Sequence, residues 1–174
     1  MFDIYIPTEL TFQDYLAICQ TSRTLVDGFD LKDRSRLLAA LAPEVVADYA
    51  AVNPAWAART FTAAAFADEW LGPAHLGLAS TATHHQLGAP YFKSVTSEAV
   101  VVEWQQLAGH AQRLAGEDFE SPLCKVGAVS EGKSWMEHTF VKVDGRWKIS
   151  VVRPTIHYRV GNLKKTRGEE EEEK

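Results

Sequence analysis

The alternation of apolar and polar positions divides this chain into an early helical stretch and a later stretch of strands. Phe12, Tyr15, Leu16, Cys19, Val26 and Phe29 recur at near-helical spacing, which predicts one helix whose apolar face runs to about Asp30. Thr11-Phe12-Gln13-Asp14 supplies its start, with Thr11 as N-cap and Asp14 where a capping-box acid sits. A shorter helix is predicted from Arg34 to Leu41, where Ala42-Pro43 ends it, because the residue ahead of a proline is pushed out of the helical region. Val45 to Tyr49 reads as a short strand broken by Asn53-Pro54. A third helix runs from about Thr62 to Leu71, with Phe66 and Trp70 on one face and Gly72-Pro73 at its end.

From Thr81 onward the period becomes two. Thr83 to Phe92, Ala99 to Leu114, Lys125 to Ser130, Trp135 to Val143 and Arg146 to Val152 read as strands. The Asp144-Gly145 pair marks a tight hairpin, since both residues tolerate the positive φ of a type I′ turn. Helices followed by a run of antiparallel strands predict an α+β fold, with a curved sheet closing on a cavity that the early helices cap. The order does not fit a parallel α/β sheet, and no repeat or internal linker interrupts it.

Length and charge add limits to this picture. A chain of 174 residues supports one core, read as a single domain over 1–163 followed by a charged C-terminal tail over 164–174. Five Trp, five Tyr and eight Phe are enough to line a cavity as well as fill a core. Much of the net charge of -5 comes from the run Glu169 to Glu173. No basic stripe with interleaved aromatics exists, which argues against nucleic-acid binding, and Lys164-Lys165-Thr166-Arg167 reads as part of a solvated tail. No apolar run approaches the ~20 residues of a membrane span, and the N-terminus lacks a leader pattern. Cys19 and Cys124 are isolated thiols without metal spacing, so a reducing, cytosolic setting is expected.

Candidate chemistry is dispersed. No GxGxxG, Walker, HExxH, GxSxG or EF-hand pattern is present, and the six histidines close no ligand set, so neither cofactor nor metal is expected. His84 and His85 share a predicted strand and must point to opposite faces, so one enters the interior, either as a core imidazole bonded to a carbonyl or as an acid/base group. His110 shares parity with Val102, Trp104, Gln106 and Gln112, which would put a second imidazole near the first. Asp30 at a helix end, Tyr49 in its short strand and Ser134 ahead of an apolar strand each admit a capping or packing role beside a chemical one.

Several segments, none sharp alone, agree in order and spacing with one family. They are Phe12-Gln13-Asp14-Tyr15-Leu16, Ala42-Pro43, Asp48-Tyr49, His85 with Leu87-Gly88, Gln105-Gln106-Leu107, Gln112-Arg113, Asp144-Gly145-Arg146-Trp147-Lys148 and Pro154-Thr155-Ile156. From Phe12 to about Tyr158 the chain resembles the scytalone dehydratase family. The resemblance implies a cone-shaped barrel, helices packed against a strongly curved antiparallel sheet around one hydrophobic pocket, in a homo-oligomer that is often a trimer. It also implies a cofactor-free loss of water, in which tyrosines hold a water against a carbonyl, a histidine pair moves protons and an aspartate orients one of them. Onto this chain it carries Tyr49, Asp30, His85 and a pocket serine, Ser134. At other positions the chain departs: Phe29 replaces the first tyrosine, Met136 a pocket asparagine and His157 a pocket arginine, while the second histidine falls on Ala111 with His110 displaced by one. Leu25 and Tyr158 complete the expected lining. A bulge near Gly109 would be needed to re-aim His110.

Three functions are consistent with this reading. One is a dehydratase acting on a small cyclic polyketide or related intermediate, with His85, Tyr49, Asp30 and His110 as catalytic set. Phe29 and Met136 make the cavity drier, which suits a cofactor-free cyclase, isomerase or Diels-Alder-type pericyclase on an apolar intermediate. The third is a binding module without turnover, since fold alone decides no function. In each case the partner is a small hydrophobic molecule.

Overall fold

The computed structural model describes residues 3–169, so Glu170 to Glu173 of the acidic run lie outside the described residues. Helix α1 spans Phe12–Asp30 and begins with the capping box expected of it: Asp14 N donates to Thr11 Oγ1, and the Asp14 carboxylate accepts from Thr11 N. That carboxylate also accepts from the Trp147 indole at 2.7 Å, which fixes the helix start against the far end of the chain. These donors hold the Asp14 carboxyl down at about 2. Helix α2 (Arg34–Ala40) starts at Asp33, whose side chain accepts from Ser35 N and Arg36 N. Leu41, expected in that helix, instead opens strand β1 (Leu41–Ala47). A four-residue strand, β2 (Arg59–Thr62), was not anticipated. It pairs antiparallel with β1 and leads into helix α3 (Ala63–Trp70), where the Thr62 hydroxyl accepts from Ala65 N.

Four long strands follow: β3 (Thr81–Val95), β4 (Ala99–Arg113), β5 (Val126–Val143) and β6 (Arg146–Gly161). Positive φ at Asp144 (48°) and Gly145 (74°) closes the β5–β6 hairpin as the turn chemistry requires. The sheet order is β2-β1-β6-β5-β4-β3. One pair departs from the antiparallel expectation, because β1 runs parallel to β6, through Leu41↔Ile149 and Ala47↔Val152. A parallel neighbour needs a long crossover, and α3 with strands β3 to β5 provides it.

Residues 126–143, expected to belong to two strands, form one. The polar stretch that suggested a break keeps strict alternation, with Ser130, Gly132 and Ser134 inward and Glu131 outward. Strand β6 runs past its expected end at Val152 and carries a bulge, since Ser134 pairs with Ile156 but Lys133 pairs with Tyr158, leaving His157 as the extra residue. Over residues 164–167 the chain is not the solvated tail expected of it. Helix α4 (Leu163–Thr166) is capped by Asn162, Thr166 is fully buried with its carbonyl accepting from Thr81 Oγ1, and Arg167 donates to Ala74 O.

Helix α1 packs against β3 and β6, burying Ile18, Leu25 and Phe29 in a core shared with Phe66, Val100, Val102 and Phe140. Each such side chain contributes about 1.5–3 kcal/mol on burial. Asp14→Ala, which removes the carboxylate half of the capping box, should cost about 0.5–2 kcal/mol, the range for a lost N-terminal cap. Because the folded pKa lies below the ordinary 3.8, this stabilisation is present above pH 4 and is lost as pH falls toward 2. Urea unfolding should therefore show a clear gap between native protein and variant at pH 6 that narrows by pH 2.5.

Candidate active site

The last turn of α1 delivers Phe29 and Asp30 to the edge of the sheet beside β3. Asp30 Oδ2 accepts from the backbone N–H of His85 at 2.7 Å, and Asp30 Oδ1 lies 2.7 Å from His85 Nδ1. A single carboxylate thus holds both the main chain and the ring of one residue. Burial alone would raise the Asp30 carboxyl, but the hydrogen bonds and charge of His85 outweigh it and the group sits below its ordinary value. An ionised acceptor at Oδ1 places the ring proton on Nδ1, which leaves Nε2 as the free lone pair. His85 and Asp30 side chains are only 9% and 11% exposed, so this pair works out of bulk water. His84 points to the exposed side, as alternation along β3 demands.

His110 stands beside this pair, its ring centroid 5.8 Å from that of His85 in an edge-on arrangement. No bulge at Gly109 brings it there. The β3–β4 register runs unbroken from Thr81↔Gln112 to Leu87↔Gln106, and His110 faces inward on its own parity with Val102, Trp104 and Gln106. Burial, reinforced by the neighbouring His85 and Arg159, pushes its imidazole down to about 4, so it is neutral at ordinary pH. Tyr49 follows the end of β1 rather than lying within a strand. Its hydroxyl oxygen accepts from Trp70 Nε1 at 3.1 Å, and burial raises the phenol to about 12, so the O–H remains a donor.

These groups meet in a chamber of about 170 Å³. His85, His110 and Tyr49 line it, with Asp30 behind His85, and its walls include Leu25, Phe29, Ser134 and Met136. Trp56, His75, Arg159, Leu163 and Arg167 stand around the same space. Two expected lining residues are elsewhere. His157 and Tyr158 sit on the outer face, against a separate depression that includes Trp135, because the bulge at His157 breaks the alternation of β6. The same bulge turns Arg159 inward opposite Gly132, so Arg159, not His157, is the cation beside the chamber. Gln106 and His138 were also missed as lining. The period-two pattern from Ser130 to Phe140 carried the signal for His138, whereas nothing in the sequence announced the bulge that places Arg159. Among the described residues no group of three or more His, Cys, Asp or Glu side chains is placed to hold a metal ion, and no helix is long and apolar enough to cross a membrane.

The sequence profile of scytalone dehydratase matches residues 9–168. The chain belongs to the scytalone dehydratase family. A dehydratase of Aspergillus candidus, Dehydratase cfoI, is 45% identical over 166 residues covering 95% of each chain. The scytalone dehydratase of Pyricularia oryzae is 29% identical over 155 residues, covering 86% of this chain and 84% of that protein. Among solved structures, the hexachlorocyclohexane dehydrochlorinase LinA-type3 of Novosphingobium barchaimii superposes with a TM-score of 0.63 at 12% identity, covering 87% of this chain and 91% of that one. A Streptomyces avermitilis protein assigned to the NTF2-like family gives 0.64 at 12% identity, covering 85% and 99%. These two likenesses establish the cone-shaped α+β fold. Family membership makes the chain a lyase-type enzyme of the dehydratase kind.

Neutral buried imidazoles make a scytalone dehydratase family fold of this composition sensitive to acid. The unfolded chain takes up protons on histidine below about 6.5, while folded His110 resists protonation until about 4, so stability present at pH 7 is lost as pH falls through this window. The urea midpoint of native protein should drop between pH 6.5 and 4.5, and His110→Phe should flatten that drop.

Proposed function

We propose that this protein is a cofactor-independent dehydratase that removes water from a small cyclic polyketide or related natural-product intermediate of secondary metabolism. The observation that carries the proposal is the double clamp of Asp30 on His85, which fixes one imidazole with its basic nitrogen available inside an apolar chamber. His85 Nε2 removes a proton from the carbon next to a ring carbonyl. The Tyr49 hydroxyl donates to the carbonyl oxygen as it gains charge. The carbon–oxygen bond at the β position then breaks, and the proton held by His85 leaves with the hydroxyl as water, the neutral His110 hydrogen-bonding the departing oxygen. Asp30 positions the ring and stabilises its protonated form. The Aspergillus candidus relative, named as a dehydratase, supports this choice of reaction.

A second reading is favoured by Phe29 and Met136, both nearly fully buried against the chamber. They remove a hydroxyl and an amide that a polyhydroxylated ring would use, and a dry wall suits a mass-neutral cyclisation, isomerisation or pericyclic step. Mass spectrometry separates the two, because dehydration yields a product lighter by one water. The enzyme is also inferred to be cytosolic, with Cys19 and Cys124 unbridged. A homo-oligomer, a trimer by family resemblance, would use the outer sheet face on which Tyr158 and Val160 are exposed.

A cyclic β-hydroxy ketone such as 3-hydroxy-1-tetralone, which gives fluorescent 1-naphthol on losing water, provides the assay. His85→Ala should lower the rate by at least ~10²-fold with an unchanged circular dichroism spectrum. Asp30→Asn should retain the fold but shift the pH–rate profile. Turnover in His85→Ala at the native rate would refute the assignment.

A further inference from the structure

One buried titratable group takes no part in the dehydration scheme. His138 on β5 is fully buried, and its ring forms part of the chamber wall. Its Nδ1 lies 2.8 Å from the hydroxyl of Ser22, which is itself fully buried on α1. Its Nε2 has no hydrogen-bond partner among the described residues. Polar atoms enclosed in apolar surroundings are normally matched, so an unmatched one in a cavity wall points to a ligand group.

The register shows where this atom stands. On the inner face of β5 the sequence Gly132, Ser134, Met136, His138 leads away from the catalytic pair: His85 lies opposite Ala108 and Gly132, whereas His138 lies opposite Val102 and Val152. Along α1, Ser22 precedes Asp30 by about two turns, or roughly 12 Å of helix. His138 therefore sits at the far end of the chamber from His85. Leu25, Val26 and Val152 offer no polar atom of their own side chains beside it, and Gln106 Oε1, nearer His85, is also buried without a partner.

We propose that His138, held by Ser22, is the specificity-determining contact for a hydroxyl group on the substrate, remote from the carbonyl that Tyr49 and His85 address. This rests on the chamber being the substrate site. The choice of a hydroxyl follows from the chemistry of the pair. The Ser22–His138 hydrogen bond can run in either direction, which makes Nε2 a donor in one tautomer and an acceptor in the other. A hydroxyl satisfies both, while a carbonyl satisfies one. A carboxylate is disfavoured, because burial pushes the imidazole down to about 3 and leaves it without charge.

Two ketones that differ only in that group provide the test: 4-phenylcyclohexanone, and 4-(4-hydroxyphenyl)cyclohexanone, whose oxygens stand at opposite ends of the molecule. Titration calorimetry on the full chain should show the hydroxylated ketone binding about ten-fold tighter, the worth of one good buried hydrogen bond. His138→Phe should reduce the preference to within about two-fold. Equal affinities in the native protein, no binding of the hydroxylated ketone, or a preference retained by His138→Phe would each overturn the proposal. Should His138→Phe fail to fold, Ser22→Ala carries the same comparison. In addition, the His138 Nε2 nitrogen resonance of native protein should shift with the hydroxylated ketone and not with its parent; an unmoved resonance overturns the proposal. These readouts are of binding alone. A native-like preference in His85→Ala, together with its loss of turnover, keeps failure of this inference distinct from failure of the dehydratase reading.

Discussion

A carboxylate withdrawn from water at the end of a helix must be matched by donors, and here one residue on a distant strand supplies them. Asp30 takes both the amide and the ring N–H of His85, which joins the end of α1 to the middle of β3. That junction sets the position of the helix over the concave face. Phe29, the neighbour of Asp30, is thereby pressed between Phe66 and His85, with ring centroids at 6.3 and 6.0 Å. The His85 imidazole and the hydrophobic core are thus oriented by one interaction. A buried pair of this kind gives geometry more than it gives stability, since desolvation offsets much of the attraction.

What the sequence made legible was whatever depends on a regular period. The face of α1, its capping box, the opposite facing of His84 and His85, the parity His110 shares with Val102, Trp104 and Gln106, and the Asp144-Gly145 turn all follow from spacing or from one residue's tolerance for positive φ. Tyr49 and Asp30, by contrast, stood between a structural and a chemical role until resemblance favoured the second, because a phenol or a helix-end carboxylate has ordinary structural uses. Features that break a period were hidden. The bulge at His157 carries no signal of its own, and beyond it the inner and outer faces of β6 exchange, which moved the pocket cation from His157 to Arg159. The parallel β1–β6 pair and the docking of α4 depend on contacts between remote segments, to which local patterns are blind.

Within the chamber, several of the polar groups are electrically restrained. His110 and His138 are kept neutral by burial, Tyr49 remains a phenol, and the charges around the space are those of the Asp30 carboxylate and of the Arg159 and Arg167 guanidinium groups. A site of this kind offers directional hydrogen bonds beside a few fixed charges, so the orientation of a bound molecule rests on shape and on where its oxygens meet donors. Phe29 and Met136 extend the same logic by replacing expected polar contacts with apolar wall.

The Asp14–Trp147 hydrogen bond reaches between residues 133 positions apart. Together with the pairing of β1 on β6, it means that the first third of the polypeptide lacks its finishing contacts until the last hairpin has been made. During synthesis β1 can therefore pair with β2 on one side, but its other side and the start of α1 wait for β6 and Trp147. Architecture of this sort makes the N-terminal elements depend on a strand made much later, and it places long-range closure late in folding.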